Sequence, residues 1–506
     1  MSKALWGLLQ HLEYRHLKGD LQTPISSLAY DSRRVLPGAL FAALPGLRTD
    51  GHLYIEKALS AGAAAVLLQE GKEALLPSQA EVAFSVKTPR LALSAISAEF
   101  YDHPSLHLHL TGVTGTNGKS TTLHLINSIH QAAGFPSGAI GTLAYRLKEE
   151  SRPAPHTTPE APDLQALLAE MREQKITHVA MEVSSHALAQ HRADGCYFRV
   201  AVFTNLSRDH LDYHADEEEY LSAKLRLFAD PVFFPPEGKR TNVINADDPA
   251  AERIAACARG DLLTYGLDSP ARVRAADLGF SPTTTEFSLH TPWGKARLAI
   301  PLLGRFNLYN ALAAASVALA EGVPLELVVS VLEKATAPTG RFQRLPSDDC
   351  TVIIDYAHTP DGLEKVLKTA KGFCRGRLFV VFGCGGDRDP GKRPIMGEIA
   401  GRLAEVCVIT SDNPRREDPQ KIIEQILAGV PPENKAKCLV EPDRAKAIRL
   451  ALGQAQKEDL VLLAGKGHET YQIFADRTVP FDDCEVAREA LVEKASGRGL
   501  LKSSGK

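Results

Sequence analysis

TGTNGKSTT, residues 114–122, follows an apolar run that ends at Val113 and opens a helical pattern over 120–133. A strand, a glycine-rich turn and a helix in that order are the unit from which parallel α/β sheets are built. Glycines let the backbone wrap closely around an anion, and the amides at the helix N-terminus point at it. With Gly-Lys-Ser in this phase, Lys119 reaches the outer phosphates of a nucleotide and the Ser120 hydroxyl joins the shell of a Mg²⁺ ion. Gly115, Thr116, Asn117, Gly118, Lys119, Ser120 and Thr121 are therefore the candidate ATP contacts. The strict G-x-x-x-x-G-K-[ST] spacing fails, because Val113 stands where the first glycine belongs and Gly112 comes one place early.

Outward from this loop the pattern repeats. Strand candidates at 106–113, 178–183, 200–204 and 242–245 alternate with helical stretches, and 272–300 has the short alternating runs of an antiparallel insertion. A second series follows Thr339-Gly340, with strand candidates at 351–355, 378–382, 406–410, 437–440 and 460–464. Helices of about 10 to 15 residues between them predict a doubly wound sheet. Residues 1–88 read as a small α/β unit with turns at Pro37-Gly38 and Pro45-Gly46. The expected fold is thus α/β in three domains, at 1–88, 89–337 and 338–495, with residues 496–506 too poor in apolar surface to order.

Composition narrows the class. A chain of 506 residues is too long for one core. Its 44% hydrophobic and 24% charged residues are ordinary for a soluble globular protein. A net charge of −3 gives no general attraction to nucleic acid or acidic membranes. Eight cysteines without a CxxC pair speak against a disulfide framework or zinc knuckle and fit a reducing cytoplasm. The N-terminal apolar run is too short for a signal segment, and no run of about 18 apolar residues appears. A cytoplasmic monomer that meets small molecules is expected.

Two further segments end at the carboxyl edge of the first sheet, where open α/β sheets bind ligands. MEVSSHAL carries Glu182 and FTNLSRDHLDYH carries His210; beside a triphosphate, both are candidate metal ligands with Ser120. SAKLRLF carries Lys224 on a helix, which by itself reads as an exposed, solvated lysine.

The off-pattern TGTNGKST resembles the loop of the ATP-dependent Mur ligases and folylpolyglutamate synthetases, which activate a carboxylate as an acyl phosphate and then form an amide. GRFNLYNALAA, TGRFQR and DYAHTPDGL extend the resemblance to the Mur ligases. It implies that Asn307 lies near adenine, that Arg341 and Asp355 contact phosphate and ribose, and that His358 lies close to the phosphates. It implies a carbamylated Lys224 as an oxygen ligand, two Mg²⁺ ions, and Lys119, Lys224, His210 and His358 as catalytic residues. AYDSRRVLPGALFAALPGLRTDGHLYI resembles the uridine-diphosphate-binding domain of the family branch that adds a diamino acid. Tyr30, Ser32, Leu47, Arg48 and Thr49 are its implied contacts, with Thr157, Thr158, Ser184, Gln190 and Arg192 holding the peptidyl part. Tyr30 stands where a small aliphatic residue is frequent, so its contact is expected through the backbone.

The reaction so implied joins the side-chain carboxylate of D-glutamate in UDP-MurNAc-L-Ala-D-Glu to an amine of a diamino acid. The base that deprotonates this amine stays open between His358, His210 and water. GCGGDRDPGKR places Arg388 after one strand, TSDNPRREDP places Asp412, Asn413, Pro414 and Arg415 after another, and AGKGHE places Gly465 and Glu469 after a third. The distal end of meso-diaminopimelate needs an arginine for its carboxylate and an acid for its ammonium. Arg415 offers a bidentate fork and Glu469 an acceptor. Diaminopimelate is therefore the expected acceptor, with L-lysine the nearest alternative. Arg416, Glu417 and Asp418 read as a solvated run starting the next helix. A folylpolyglutamate synthetase leaves DSRRVLPG and DNPRRED without a role, and a P-loop ATPase switch leaves DNPRREDP and GKGHE unexplained.

Overall fold

A computed structural model describes residues 2–503 apart from Leu47, Arg48, Leu211, Asp212, Pro282 and Asp348, and without the side chains of 497–503. Its architecture follows from the near-continuous apolar strands. LFVVF at Leu378–Phe382 and LVLLA at Leu460–Ala464 are buried at every position. Such runs persist only where helices cover both faces of a parallel sheet.

Among the described residues the central sheet has 11 strands. His109–Thr114 lies between His178–Glu182 and Val200–Phe203 and runs parallel to both. The chain winds from this strand first to one side and then to the other, so the crevice at its carboxyl end is the switch point where ligands bind. The helix Lys119–Ala132 starts there and packs on Arg305–Ala320, whose residues from Asn310 to Leu319 are all buried, as the absence of a polar face requires. The second sheet has 6 strands, parallel except at Gln343–Leu345, and its carboxyl ends face the same crevice. A 5-stranded sheet formed by the first 86 residues has its own core around Leu40, Leu67 and Phe84.

Three expectations change. The first strand begins at His109 rather than 106, because Pro104 starts a 3₁₀ turn over Pro104–His107. The 272–300 segment is antiparallel but no separate insertion: Val273–Phe280 pairs with Asp261–Gly266 and prolongs the central sheet. The last helix, Asp483–Ser503, continues into the segment expected to be disordered. Lengthening a helix already nucleated on a packed surface asks only for local propensity. Ser504 to Lys506 lie outside the described residues. Among the described residues no helix is long and apolar enough to cross a membrane.

Candidate active site

The phosphate loop is shaped by its glycines and tied to the next strand. Gly118 has φ +88°, and a Cβ there would stand 2.3 Å from Asn310 Oδ1. The Asn117 amide donates to Asn205 Oδ1 at 3.0 Å, and the Thr204 hydroxyl donates to the Asn117 carbonyl at 2.7 Å. The Lys119 ammonium folds over its own loop, donating to the carbonyls of Gly115 and Thr116 at 3.0 and 2.8 Å. Burial pulls its pKa below the ordinary lysine value, against the opposing charges of Glu182 and Asp209. A cation held by weak carbonyl partners is readily drawn to a stronger anion such as phosphate.

Glu182 ends the neighbouring strand inside the crevice. Its carboxylate accepts from Ser120 Oγ at 2.8 Å and from the Thr142 amide and hydroxyl at 2.9 and 3.1 Å. Lys224 is not the solvated lysine its helix suggested. It is fully buried beneath the loop, donating to the Gly115 carbonyl at 3.0 Å with its ammonium 4.2 Å from the Tyr220 ring centre. Desolvation first, and the charge of Lys119 second, push its pKa well down, toward the neutral amine. His210 takes φ +57° after Asp209, its ring 4.8 Å from that of His186 and 3.5 Å from the Asp209 carboxylate. Among the described residues no three His, Cys, Asp or Glu form a metal cage. One carboxylate and one hydroxyl beside a phosphate loop nevertheless fit Mg²⁺, which keeps most of its shell for phosphate and water.

The second sheet supplies the opposite wall. Arg341 reaches Ser120 Oγ at 3.4 Å and lies over Tyr356 at 4.6 Å. Asp355 accepts from the amides of Phe342 and Ala357, both at 2.7 Å. Burial raises its carboxyl to about 6, although Arg341 and those amides oppose the shift. His358 Nδ1 lies 2.9 Å from the Tyr356 carbonyl, which sets the tautomer that leaves Nε2 its lone pair. Burial, then the nearby Lys392, keep this ring neutral. Asn307 is buried below the loop, donating to the Leu303 carbonyl at 3.0 Å and accepting from Asn310 at 3.2 Å, and does not line the crevice. Sequence reasoning missed Asp361, whose carboxylate accepts from Asn117 at 3.0 Å and Ser207 at 2.8 Å and so joins the two walls. Its place in DYAHTPDGL, at the start of a helix, was the available signal.

The expected peptidyl contacts fall into two groups. Thr157, Thr158, Ser184 and Arg192 line the crevice. Gln190 does not, but accepts from Arg192 at 2.7 Å and orients it, while Glu160 holds the same guanidinium at 3.0 Å. Ser32 is buried, and Thr49 pairs with the Tyr54 hydroxyl at 3.0 Å. Leu47 and Arg48 lie outside the described residues. The Tyr30 side chain is tied to the central domain: its hydroxyl donates to Asp163 at 2.5 Å, beside an Arg34–Asp163 ion pair at 2.9 Å.

At the far end Arg388, Asp412, Asn413, Arg415, Gly465 and Glu469 converge, whereas Pro414 does not line the crevice. Arg415 has φ +51° and donates to the Gly386 carbonyl at 2.8 Å. Glu417 is only partly solvated: its carboxylate holds the buried Arg393 at 2.8 and 2.9 Å and accepts from the Asp387 amide at 2.6 Å. Asp418 caps the helix Pro419–Ala428 while staying exposed, and Arg416 is exposed beside Asp387.

Phosphate loop, Glu182, His358, Arg388 and Arg415 thus line one crevice of about 1010 Å³. Three family models match: the Mur ligase middle domain over residues 113–318, the Mur ligase glutamate ligase domain over 340–467, and the Mur ligase catalytic domain over 24–101. A UDP-N-acetylmuramoyl-L-alanyl-D-glutamate–2,6-diaminopimelate ligase of Geobacter sulfurreducens is 45% identical over 499 residues, 95% of this chain and 97% of the relative. Its namesake in Synechococcus elongatus is 47% identical over 494 residues, 96% and 97% of the two chains. A solved structure of a ligase of that name is 34% identical with a TM-score of 0.69, covering 98% of this chain and all of its own. FolC of E. coli, at 20% identity and a TM-score of 0.57, covering 78% of this chain and 92% of its own, shares the fold alone. With its loop, its crevice and its whole length accounted for in this way, the chain belongs to the Mur ligase family.

Proposed function

We infer that this chain is the ATP-dependent ligase that adds meso-diaminopimelate to the D-glutamate side-chain carboxylate of UDP-MurNAc-L-Ala-D-Glu, a step of peptidoglycan precursor synthesis. The carrying observation is the single crevice, with a phosphate loop at one end and Arg388, Arg415 and Glu469 at the other. In the proposed division of labour, residues 1–88 bind the uridine diphosphate, 89–337 the ATP and 338–495 the amino acid.

ATP gives its γ-phosphoryl group to the glutamate carboxylate, and the amine then attacks the acyl phosphate to release phosphate. Little covalent work falls to the protein, so positioning and charge neutralisation carry the rate. Lys119 leaves its loop carbonyls for the phosphates. Arg192, oriented by Gln190 and Glu160, holds the peptidyl carboxylate side. Ser120 and Glu182 would hold Mg²⁺, which supplies charge neutralisation at the transferring group. Lys224, pushed toward its neutral amine, is in the state that adds carbon dioxide, and the carbamate would offer a further oxygen. His358, with Nδ1 engaged and Nε2 open, is the group we favour to take the proton of the attacking amine; His210, beside Asp209, would serve instead as a further ligand of the Mg²⁺. Walls drawn together by Asp361 exclude water from an acyl phosphate that hydrolyses readily.

The test is ADP release from the purified chain with UDP-MurNAc-L-Ala-D-Glu and either meso-diaminopimelate or L-lysine. Release that needs the nucleotide peptide and prefers diaminopimelate is expected; release without the peptide, or preference for lysine, refutes the reading.

A further inference from the structure

Lys466 follows the strand Leu460–Ala464 and is completely buried, yet it does not line the crevice. Its three N–H bonds are all used: Nζ donates to the Tyr471 carbonyl at 2.7 Å, Asn413 Oδ1 at 3.1 Å and Glu469 Oε2 at 3.2 Å. Asp412 Oδ1 is also 3.3 Å away. A buried ammonium is costly unless such partners surround it. The same partners form the acceptor end of the crevice.

The consequences reach the wall itself. Asn413 Oδ1 is taken by Lys466 and by the Ile473 amide at 3.0 Å, so Nδ2 must point the other way, where it donates to Glu469 Oε2 at 2.8 Å. With Oε2 held by both Lys466 and Asn413, the second oxygen of Glu469 faces Tyr356 and the crevice. The carboxylate rotamer, and with the Ile473 amide the orientation of the Asn413 amide, are thus set from behind by one cation.

Charge points the same way. Three ion pairs near this end balance themselves, Asp387 with Arg416, Glu417 with Arg393 and Asp483 with Arg444, and Asp389 and Lys392 on the Arg388 loop are of opposite sign and cancel. Asp412 and Glu469 against Arg388, Arg415 and Lys466 leave one net positive charge. Diaminopimelate with its attacking amine neutral carries two carboxylates and one ammonium, one net negative charge. L-Lysine in the same state carries none. Without Lys466 the wall would be neutral and would match lysine instead.

We propose that Lys466 is a positioning and specificity-determining residue: its buried ammonium orients Asn413 and Glu469 and gives the acceptor wall the charge that selects a two-carboxylate amino acid. This rests on the diaminopimelate reading. The test compares wild type with Lys466→Met, measuring kcat, the KM of each substrate, the diaminopimelate-over-lysine preference and thermal unfolding. The KM of diaminopimelate is expected to rise about tenfold or more, as the loss of one charge-assisted hydrogen bond implies, and the preference to fall by a similar factor. The KM values of ATP and the nucleotide peptide should stay within about twofold, a split that loosening of the whole domain would not produce. If Lys466→Met does not fold, Lys466→Gln keeps a donor for the Tyr471 carbonyl without the charge and carries the same expectation. A folded variant with unchanged diaminopimelate KM and preference, or with all three KM values moved alike, overturns the assignment of Lys466. A wild type that prefers lysine overturns the acceptor reading itself.

Discussion

At the scale of single residues, motif chemistry was readable and its strength was not. Arg415 was singled out because a second carboxylate asks for a fork, and its guanidinium does line the acceptor end. Its φ of +51° and its bond to the Gly386 carbonyl at 2.8 Å show that the loop presents it at some backbone cost. Arg415→Ala should raise the KM of diaminopimelate about 10- to 100-fold, the worth of a charge-assisted hydrogen bond, and Arg415→Lys should restore little of it. Steady-state kinetics with normal diaminopimelate binding in either variant would remove the role. Asp355 makes a second prediction. Its carboxyl titrates near 3.8 when exposed and about 6 in the fold, because burial disfavours its charge. The folded state therefore holds that proton more tightly than the unfolded chain. Its contribution to stability is complete below about pH 4 and is lost as pH rises through about 6, to an extent on the order of 3 kcal/mol. Urea unfolding at pH 4 and pH 6.5 should show this loss in wild type and not in Asp355→Asn; parallel behaviour of the two proteins would contradict it.

At the scale of elements, hydrophobic period and punctuation located the parallel strands of the second sheet and four of the central sheet, because strands buried on both faces leave long apolar runs, but they passed over Ser137–Ile140, Asp261–Gly266 and the short strands of the first 86 residues. What they missed was decided by neighbours. The strand at 106 was shortened by a proline turn, and the final helix was lengthened by the packing of its first part. Loop-to-loop fit was also invisible. A Cβ at Gly386 would lie 1.9 Å from the Pro414 carbonyl oxygen, so two acceptor loops far apart in sequence touch backbone to backbone. Gly386→Ala should push the 412–415 loop away and raise the diaminopimelate KM about tenfold or more, since displacements near 1 Å suffice for such losses. The KM of ATP should stay within about twofold, and an equal change in both constants would count against the local explanation.

At the scale of the whole molecule, the active site exists only where two sheets meet. Asp361 joins them through Asn117 and Ser207, at 3.0 and 2.8 Å. Asp361→Ala should loosen that closure, which small-angle scattering would register as a larger radius of gyration of the free protein, together with a raised KM for ATP. An unchanged scattering profile would show that other contacts set the closure. The sequence by itself determined the α/β class and the nucleotide chemistry and singled out Arg415 as the candidate acceptor arginine, because apolar period, glycine-lysine-serine spacing and side-chain valence are local properties of the chain. Only the tertiary structure decided that Lys224 is buried under the phosphate loop, that Glu417 clamps Arg393, and that Lys466 stands behind Asn413 and Glu469. Burial and partner choice are properties of space between segments remote in sequence, and they are what turn an ordinary lysine or glutamate into a perturbed or positioning one.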